Sequence, residues 1–159
     1  MILETFNGTK RGTGMFQSCV QTGSYGIREC AHAVGSVIDI GANVGFFSVV
    51  ARILCPASEI VALEPDQPTF QQLLGNCKHM RIHPVLAGLG DGTPIKKWQK
   101  PPLDRGCYGT RYDAGGNSQI SARSVKLKQI VDWFRLKDIF LKIDCEGGEH
   151  TIIGDRESE

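Results

Sequence analysis

The sequence predicts an α/β fold: a Rossmann-like, open, mostly parallel sheet with helices on both faces. Three observations lead to it. Short apolar runs that suit buried strands alternate with longer segments of helical period, as in "SVIDI", "FFSVVARIL", "IVAL" and "DQPTFQQLLGNCKHM". The connections between them are short, and the strand–helix–strand alternation means parallel pairing through right-handed crossovers. Glycines and acidic residues collect where the strands end, and an open parallel sheet keeps its ligand crevice there.

In chain order, residues 1–33 form an irregular lead-in, with a helix or strand near Tyr25–Ala33. The first strand is Ser36–Ile40, and the helix after Gly45 runs until Pro56 stops it, because proline cannot continue a helix. A second strand, Ile60–Leu63, closes on Glu64 and Pro65. Pro68 suits the first turn of the next helix, whose period is carried by Phe70, Leu73, Leu74 and Cys77. Ile82–Ala87 is a third strand, weakened by Pro84. From 91 to 123 the pattern lapses into an exposed strand at "DGTPIKKWQK" and a long loop, "PPLDRGCYGTRYDAGGNSQ". "SARSVKLK" follows as a strand, "LKQIVDWFRL" as a helix, Ile139–Asp144 as a further strand, and a helix starts near Glu149. The 159 residues make one domain, with the cofactor-type core at 36–90, a variable loop or hairpin at 91–123 and a second half at 124–159.

The composition narrows the partners. A net charge of +1 gives no long-range pull towards nucleic acid or an acidic membrane. No apolar run approaches the length of a transmembrane helix, and "MILETFNGTK" lacks the basic-then-apolar order of a secretory signal, so a cytoplasmic address is expected. The cysteines, at 19, 30, 55, 77, 107 and 145, contain no CxxC pair and are expected as reduced thiols. Cys77, His79 and His83 have a metal-like spacing at a helix end, where packing is the expected role; no metal is expected.

The chemistry starts at "DIGANVG". Gly41 and Gly45 let the loop wrap tightly ahead of a helix N-terminus, which favours an anionic group. The spacing is neither GxGxxG nor GxxxxGK[ST]. A DxGxxxG loop after a first strand is the pattern associated with S-adenosylmethionine. Glu64, at the end of the next strand, is placed to accept from ribose hydroxyls.

The segments "VIDIGANVGFFSVVAR", "VALEPDQPTFQQLLGN" and "FLKIDCEGGEHTIIGD" resemble, in order, the characteristic segments of the FkbM-like S-adenosylmethionine-dependent methyltransferases. The resemblance implies the class I methyltransferase fold and O-methylation of a hydroxyl on a small molecule or sugar. It implies that Asp39, Gly41, Asn43 and Gly45 surround the methionine part of the cofactor, that Glu64 holds the ribose, and that the "AGLGD" turn with Asp91 lies near the adenine. It also puts "LKIDCEGGEH" beside the transferred methyl.

In the strand Ile139–Asp144, Phe140, Lys142 and Asp144 share one face. Asp144 is the leading candidate to orient or deprotonate the acceptor hydroxyl. Lys142 is the candidate to pair with Asp144 and hold it ionised. Glu146 and Glu149 are candidates for substrate hydroxyls, although acidic residues also stabilise a helix N-terminus, the favoured role for Glu149. His150 and a divalent cation among these residues have only residue type in their favour. Beside that family, strands that would complete the sheet are expected to be missing at the C-terminus. The strand at Ile139 would then be an apolar edge, to be covered by strands from 92–128 or by a second copy of the chain. The alternative function is a truncated, catalytically incomplete cofactor-binding or interaction module.

Overall fold

The protein is described here by a computed structural model, in residues 24–92, 94–98, 111–113 and 121–144. A four-residue helix, α1 (Ile27–Cys30), lies between two short 3-10 turns and leads into β1 (Ser36–Ile40). Then come α2 (Phe46–Leu54), β2 (Glu59–Leu63), α3 (Gln67–Cys77) and β3 (Ile82–Val85). Short strands follow at β4 (Gly88–Leu89), β5 (Ile95–Trp98), β6 (Arg111–Asp113), β7 (Ser121–Ala122) and β8 (Ser124–Val125). The described chain closes with α4 (Leu127–Phe134) and β9 (Ile139–Ile143).

The main sheet has the order β3-β2-β1-β9, all parallel. The chain builds outward from β1 to β3 and then returns to pair β9 on the free side of β1. That reversal makes the carboxyl end of β1 a topological switch point, where an open sheet leaves a crevice.

Period-2 alternation sorts the side chains to two faces. Val37, Ile60 and Ala62 pack with Phe47 and Val49 of α2 and with Phe70 and Leu73 of α3. Ile38, Ile40, Val61 and Leu63 pack instead with Val125, Ile130 and Leu136 around α4. Both faces are therefore covered, as a parallel sheet requires. The α/β fold expected from the sequence is the fold observed.

The helices are set by local chemistry. Asp66 caps α3 by accepting from the Thr69 amide at 3.2 Å and the Thr69 hydroxyl at 2.8 Å, with Pro68 in the first turn. The C-terminal end of α2 is riveted by Arg52, whose guanidinium donates to the carbonyls of Cys55, Pro56, Met80 and Arg81. Those carbonyls would otherwise be exposed chain ends of helices and turns.

Three expectations change in detail. The third strand ends at Val85 rather than Ala87, because the Ala87 amide turns back onto the Val85 carbonyl at 3.0 Å and the chain leaves the sheet. "SARSVKLK" is two strands, broken at Arg123: β7 pairs antiparallel with β5, while β8 pairs parallel with β4. The long loop holds β6, which pairs antiparallel with β5. The helix expected near Glu149 lies outside the described residues. Among the described residues β9 has one strand partner, β1, and Ile139 and Leu141 are exposed along it; no strand between 92 and 128 pairs with it. No helix among them is long and apolar enough to cross a membrane.

Gly45 fixes how closely α2 and α3 approach. Its φ is 94°, and a Cβ there would lie 2.7 Å from Leu73 Cδ1 and 3.2 Å from Cys77 Sγ. Gly45→Ala is expected to destabilise the protein by about 2–4 kcal/mol, combining left-handed strain with overpacking. A urea midpoint unchanged from the parent would contradict this packing argument.

Candidate cofactor-binding and active site

Three adjacent strands end together, and the hydrogen bonds across their ends define the site. After β1 the chain turns at Gly41, whose φ is 71°, and at Asn43, whose φ is 53°. The Ala42 amide donates to the Leu63 carbonyl at 2.8 Å, joining the loop to β2. The Asn43 amide donates to Glu64 Oε2 at 2.9 Å, and the Asp144 amide donates to the Ile40 carbonyl at 3.1 Å. Loop closure is completed by the Gly45 amide on the Ala42 carbonyl at 2.9 Å and by Asn76 Nδ2 on the Val44 carbonyl at 2.8 Å.

Glu64 is only 7% exposed. Its Oε2 takes the Asn43 amide and its Oε1 takes the Asp66 amide, each at 2.9 Å. Burial raises its pKa above the ordinary glutamate value, against the pull of those two amides. A carboxylate has about four lone-pair sites, so each oxygen retains capacity for a further donor.

Asp39 is fully buried, at 0% exposure, beneath the loop. Oδ2 accepts from the Ser48 hydroxyl of α2 at 2.6 Å. Lys142 Nζ lies 2.9 Å from Oδ1 but outside hydrogen-bonding geometry, so that contact is ionic and Oδ1 accepts no hydrogen bond among the described residues. Lys142, 5% exposed, also donates to the carbonyls of Gly41 at 2.9 Å and Ile40 at 3.4 Å. The pairing expected between Lys142 and Asp144 is corrected accordingly. The β1–β9 register sets Lys142 directly opposite Asp39, and the ammonium goes to that buried carboxylate.

Asp144 is exposed at the end of β9, on the face that carries Phe140 and Lys142. Its Oδ2 accepts from the Tyr25 hydroxyl at 2.7 Å. Tyr25 comes from the lead-in, packs edge-on against Phe47 at 5.3 Å, and places its ring 5.6 Å from Lys142 Nζ. Sequence reasoning missed this residue, since nothing in "QTGSYG" reports a partner 119 residues away. Its one local signal is the neighbouring glycines, which permit the turn where Tyr25 has a φ of 74°.

The glycine loop, Glu64 and Asp144 are therefore brought together, while Asp39 and Lys142 lie beneath them. Asp91 is exposed in the turn after β4, where the Gly92 amide donates to the Ser124 hydroxyl at 3.1 Å. Glu146, Glu149 and His150 lie outside the described residues. Cys77 is buried beneath Gly45, and burial pushes its thiol up to about 12, so it packs as a protonated, inert group. His83 meets Glu59 at 3.0 Å. Among the described residues no three His, Cys, Asp or Glu side chains converge to hold a metal.

The family model of the methyltransferase FkbM domain matches residues 39–159, starting at the buried aspartate that opens the glycine loop. The chain belongs to the FkbM methyltransferase family. No curated protein matches it. The parallel sheet with helices on both faces is the Rossmann-like methyltransferase fold, and methyltransferase domains of this family generally use S-adenosylmethionine. The residues present fit that group chemically. Glu64 is a buried carboxylate with acceptor capacity at the end of β2, and the glycine loop beside it is anchored to it through the Asn43 amide.

The raised pKa of Glu64 has a signed consequence. An acid whose folded pKa is raised opposes folding in its charged form above the ordinary pKa, and the opposition is relieved as pH falls through the raised value. Glu64→Gln lacks that titration and can accept only one of the two amides. The stability advantage of the parent over Glu64→Gln is therefore expected to grow as pH falls from neutral towards 4.5, the ordinary value for this group. Urea midpoints measured across that range check it, and an advantage that shrinks on acidification would refute the assignment.

Proposed function

We propose that this FkbM-family protein is an S-adenosylmethionine-dependent O-methyltransferase that acts on a hydroxyl of a small molecule or sugar. The observation that carries the reading is the side-by-side arrangement of Glu64, the glycine loop and Asp144 at the switch point of the sheet. In this reading Gly41, Asn43 and Gly45 line the methionine part of the cofactor, Asp39 supports them from below, Glu64 holds the ribose and Asp91 borders the adenine. When bound, S-adenosylmethionine supplies an electrophilic methyl group on a sulfonium.

The chain's own task is to present a hydroxyl and take up its proton. Tyr25 holds Oδ2 of Asp144 in place, and Oδ1 orients the acceptor hydroxyl and receives its proton as the oxygen becomes nucleophilic. Glu146, two residues further on, binds other hydroxyls of the acceptor. The whole chain acts as one domain at a cytoplasmic address, with the acceptor as its partner. Among the described residues β9 pairs with β1 alone, and that edge favours pairing with a second copy, or else a second reading in which the chain is a catalytically incomplete cofactor-binding or interaction module.

Titration calorimetry with S-adenosylhomocysteine, with NADH as the comparison ligand, tests the cofactor assignment; binding of the first alone is expected. Equal binding of both, or of neither, would sink it. Asp144→Asn is expected to lower methyl transfer by about 10²–10⁴-fold, the usual contribution of a general base, while S-adenosylhomocysteine affinity stays within about twofold of the parent. Unchanged turnover would remove Asp144 from the mechanism.

A further inference from the structure

We propose that Lys142 sets the conformation of the glycine loop: it is a positioning residue for the cofactor site and takes no part in proton transfer. The proposal rests on the cofactor reading above for its ligand, and on the geometry of the Gly41–Ala42 peptide for its mechanism.

That peptide is held from both sides. Its carbonyl accepts from Lys142 Nζ of β9 at 2.9 Å, and its N–H donates to the Leu63 carbonyl of β2 at 2.8 Å. Gly41 is in the left-handed region, with φ at 71°, and as a glycine it has no Cβ to restrict its flanking peptides, so the two bonds fix the peptide plane. The next amide along, that of Asn43, is the one that orients Glu64. Lys142 thus reaches through a single peptide plane to the backbone that a ligand would touch and to the carboxylate assigned to its ribose. A compact ammonium with three donors suits the task, since it meets Asp39, Ile40 and Gly41 in consecutive positions.

Stability alone does not explain a buried pair of this kind. Replacing both partners of a buried ion pair by groups that carry no charge is often neutral or stabilising, whereas removing one partner leaves an uncompensated charge. The function that an apolar replacement does not restore is the bond to the Gly41 carbonyl. Lys142→Met and the double variant Asp39→Asn/Lys142→Met separate the two roles. The asparagine can still accept from Ser48, and the double variant contains no unpaired buried carboxylate.

The measurements are urea midpoints, amide hydrogen exchange at Ala42 and Asn43, and calorimetric titration with S-adenosylhomocysteine, all on the full chain. Lys142→Met is expected to lose stability, and the double variant to regain most of it. In the double variant the two amides are still expected to exchange about tenfold faster than in the parent, with S-adenosylhomocysteine affinity weakened by about tenfold, the loss of one charge-assisted hydrogen bond. A double variant that recovers parental exchange and affinity along with stability would overturn the proposal, because Lys142 would then serve only to neutralise Asp39. If Lys142→Met does not fold, the double variant carries the comparison. If the parent itself binds no S-adenosylhomocysteine, the cofactor reading fails separately. The exchange rates then still decide: faster exchange upholds the positioning role, and parental exchange refutes it.

Discussion

The ion pair between Asp39 and Lys142 is the constraint on which the rest of the site depends. The two residues are direct partners in the β1–β9 pairing, so a shift of one residue would turn Lys142 to the opposite face of the sheet. The pair therefore fixes register as well as neutralising charge. With that register set, the Asp144 amide meets the Ile40 carbonyl and the end of β9 stops level with the end of β1. Ser48 ties the same carboxylate to the first turn of α2, so strand, loop, helix and returning strand are held through one buried side chain.

A second constraint acts from the helical layer. Gly45 lets α3 approach so closely that Leu73 and Cys77 occupy the space a Cβ would need. Gly45 therefore serves helix packing, whereas Gly41 serves the turn and its bond to Lys142. The two glycines of the motif have different physical reasons for being glycine. Asn76 of α3 then closes the loop onto the Val44 carbonyl, so the loop is braced by β2, β9 and α3 together. Loop residues held on three sides are pre-organised, which reduces the ordering cost of any ligand they receive.

Most of the sheet was legible because its strands are buried runs of one period with punctuation at each end. Ser36–Ile40 matches the observed β1, and the strand at Ile60–Leu63 is extended by one residue to Glu59. The faces of β9 were also legible, with Phe140 packed towards α2 and Ile143 towards α4. What failed was nonlocal. β6 and β7 are too short to carry a period, and their pairing with β5 depends on chain that lies far away in sequence. Along the strand the nearest carboxylate to Lys142 is Asp144, whereas cross-strand register gives it to Asp39. Tyr25 was invisible because the lead-in has no pattern that reports where it docks. Motif, strand and helix are local properties; the partners of a buried charge are tertiary ones.

The charges at the strand ends argue for the character of the ligand. Asp39, Glu64 and Asp144 stand at or beneath the mouth of the crevice, and the ammonium described among them, Lys142, is already engaged by Asp39 and two carbonyls. Glu64 has backbone amides rather than a cation for partners, and burial raises its pKa despite them. A carboxylate at the end of the second strand accepts from the hydroxyls of a ribose, the part that nucleoside cofactors share. In the proposed reading Glu64 accepts from the hydroxyls of that ribose, while Asp39, already neutralised by Lys142, adds no net charge to the crevice. The loop and Glu64 thus have separable roles: the loop is shaped by helix packing and by Lys142, and the buried carboxylate beside it is a polar group with capacity left for a ligand.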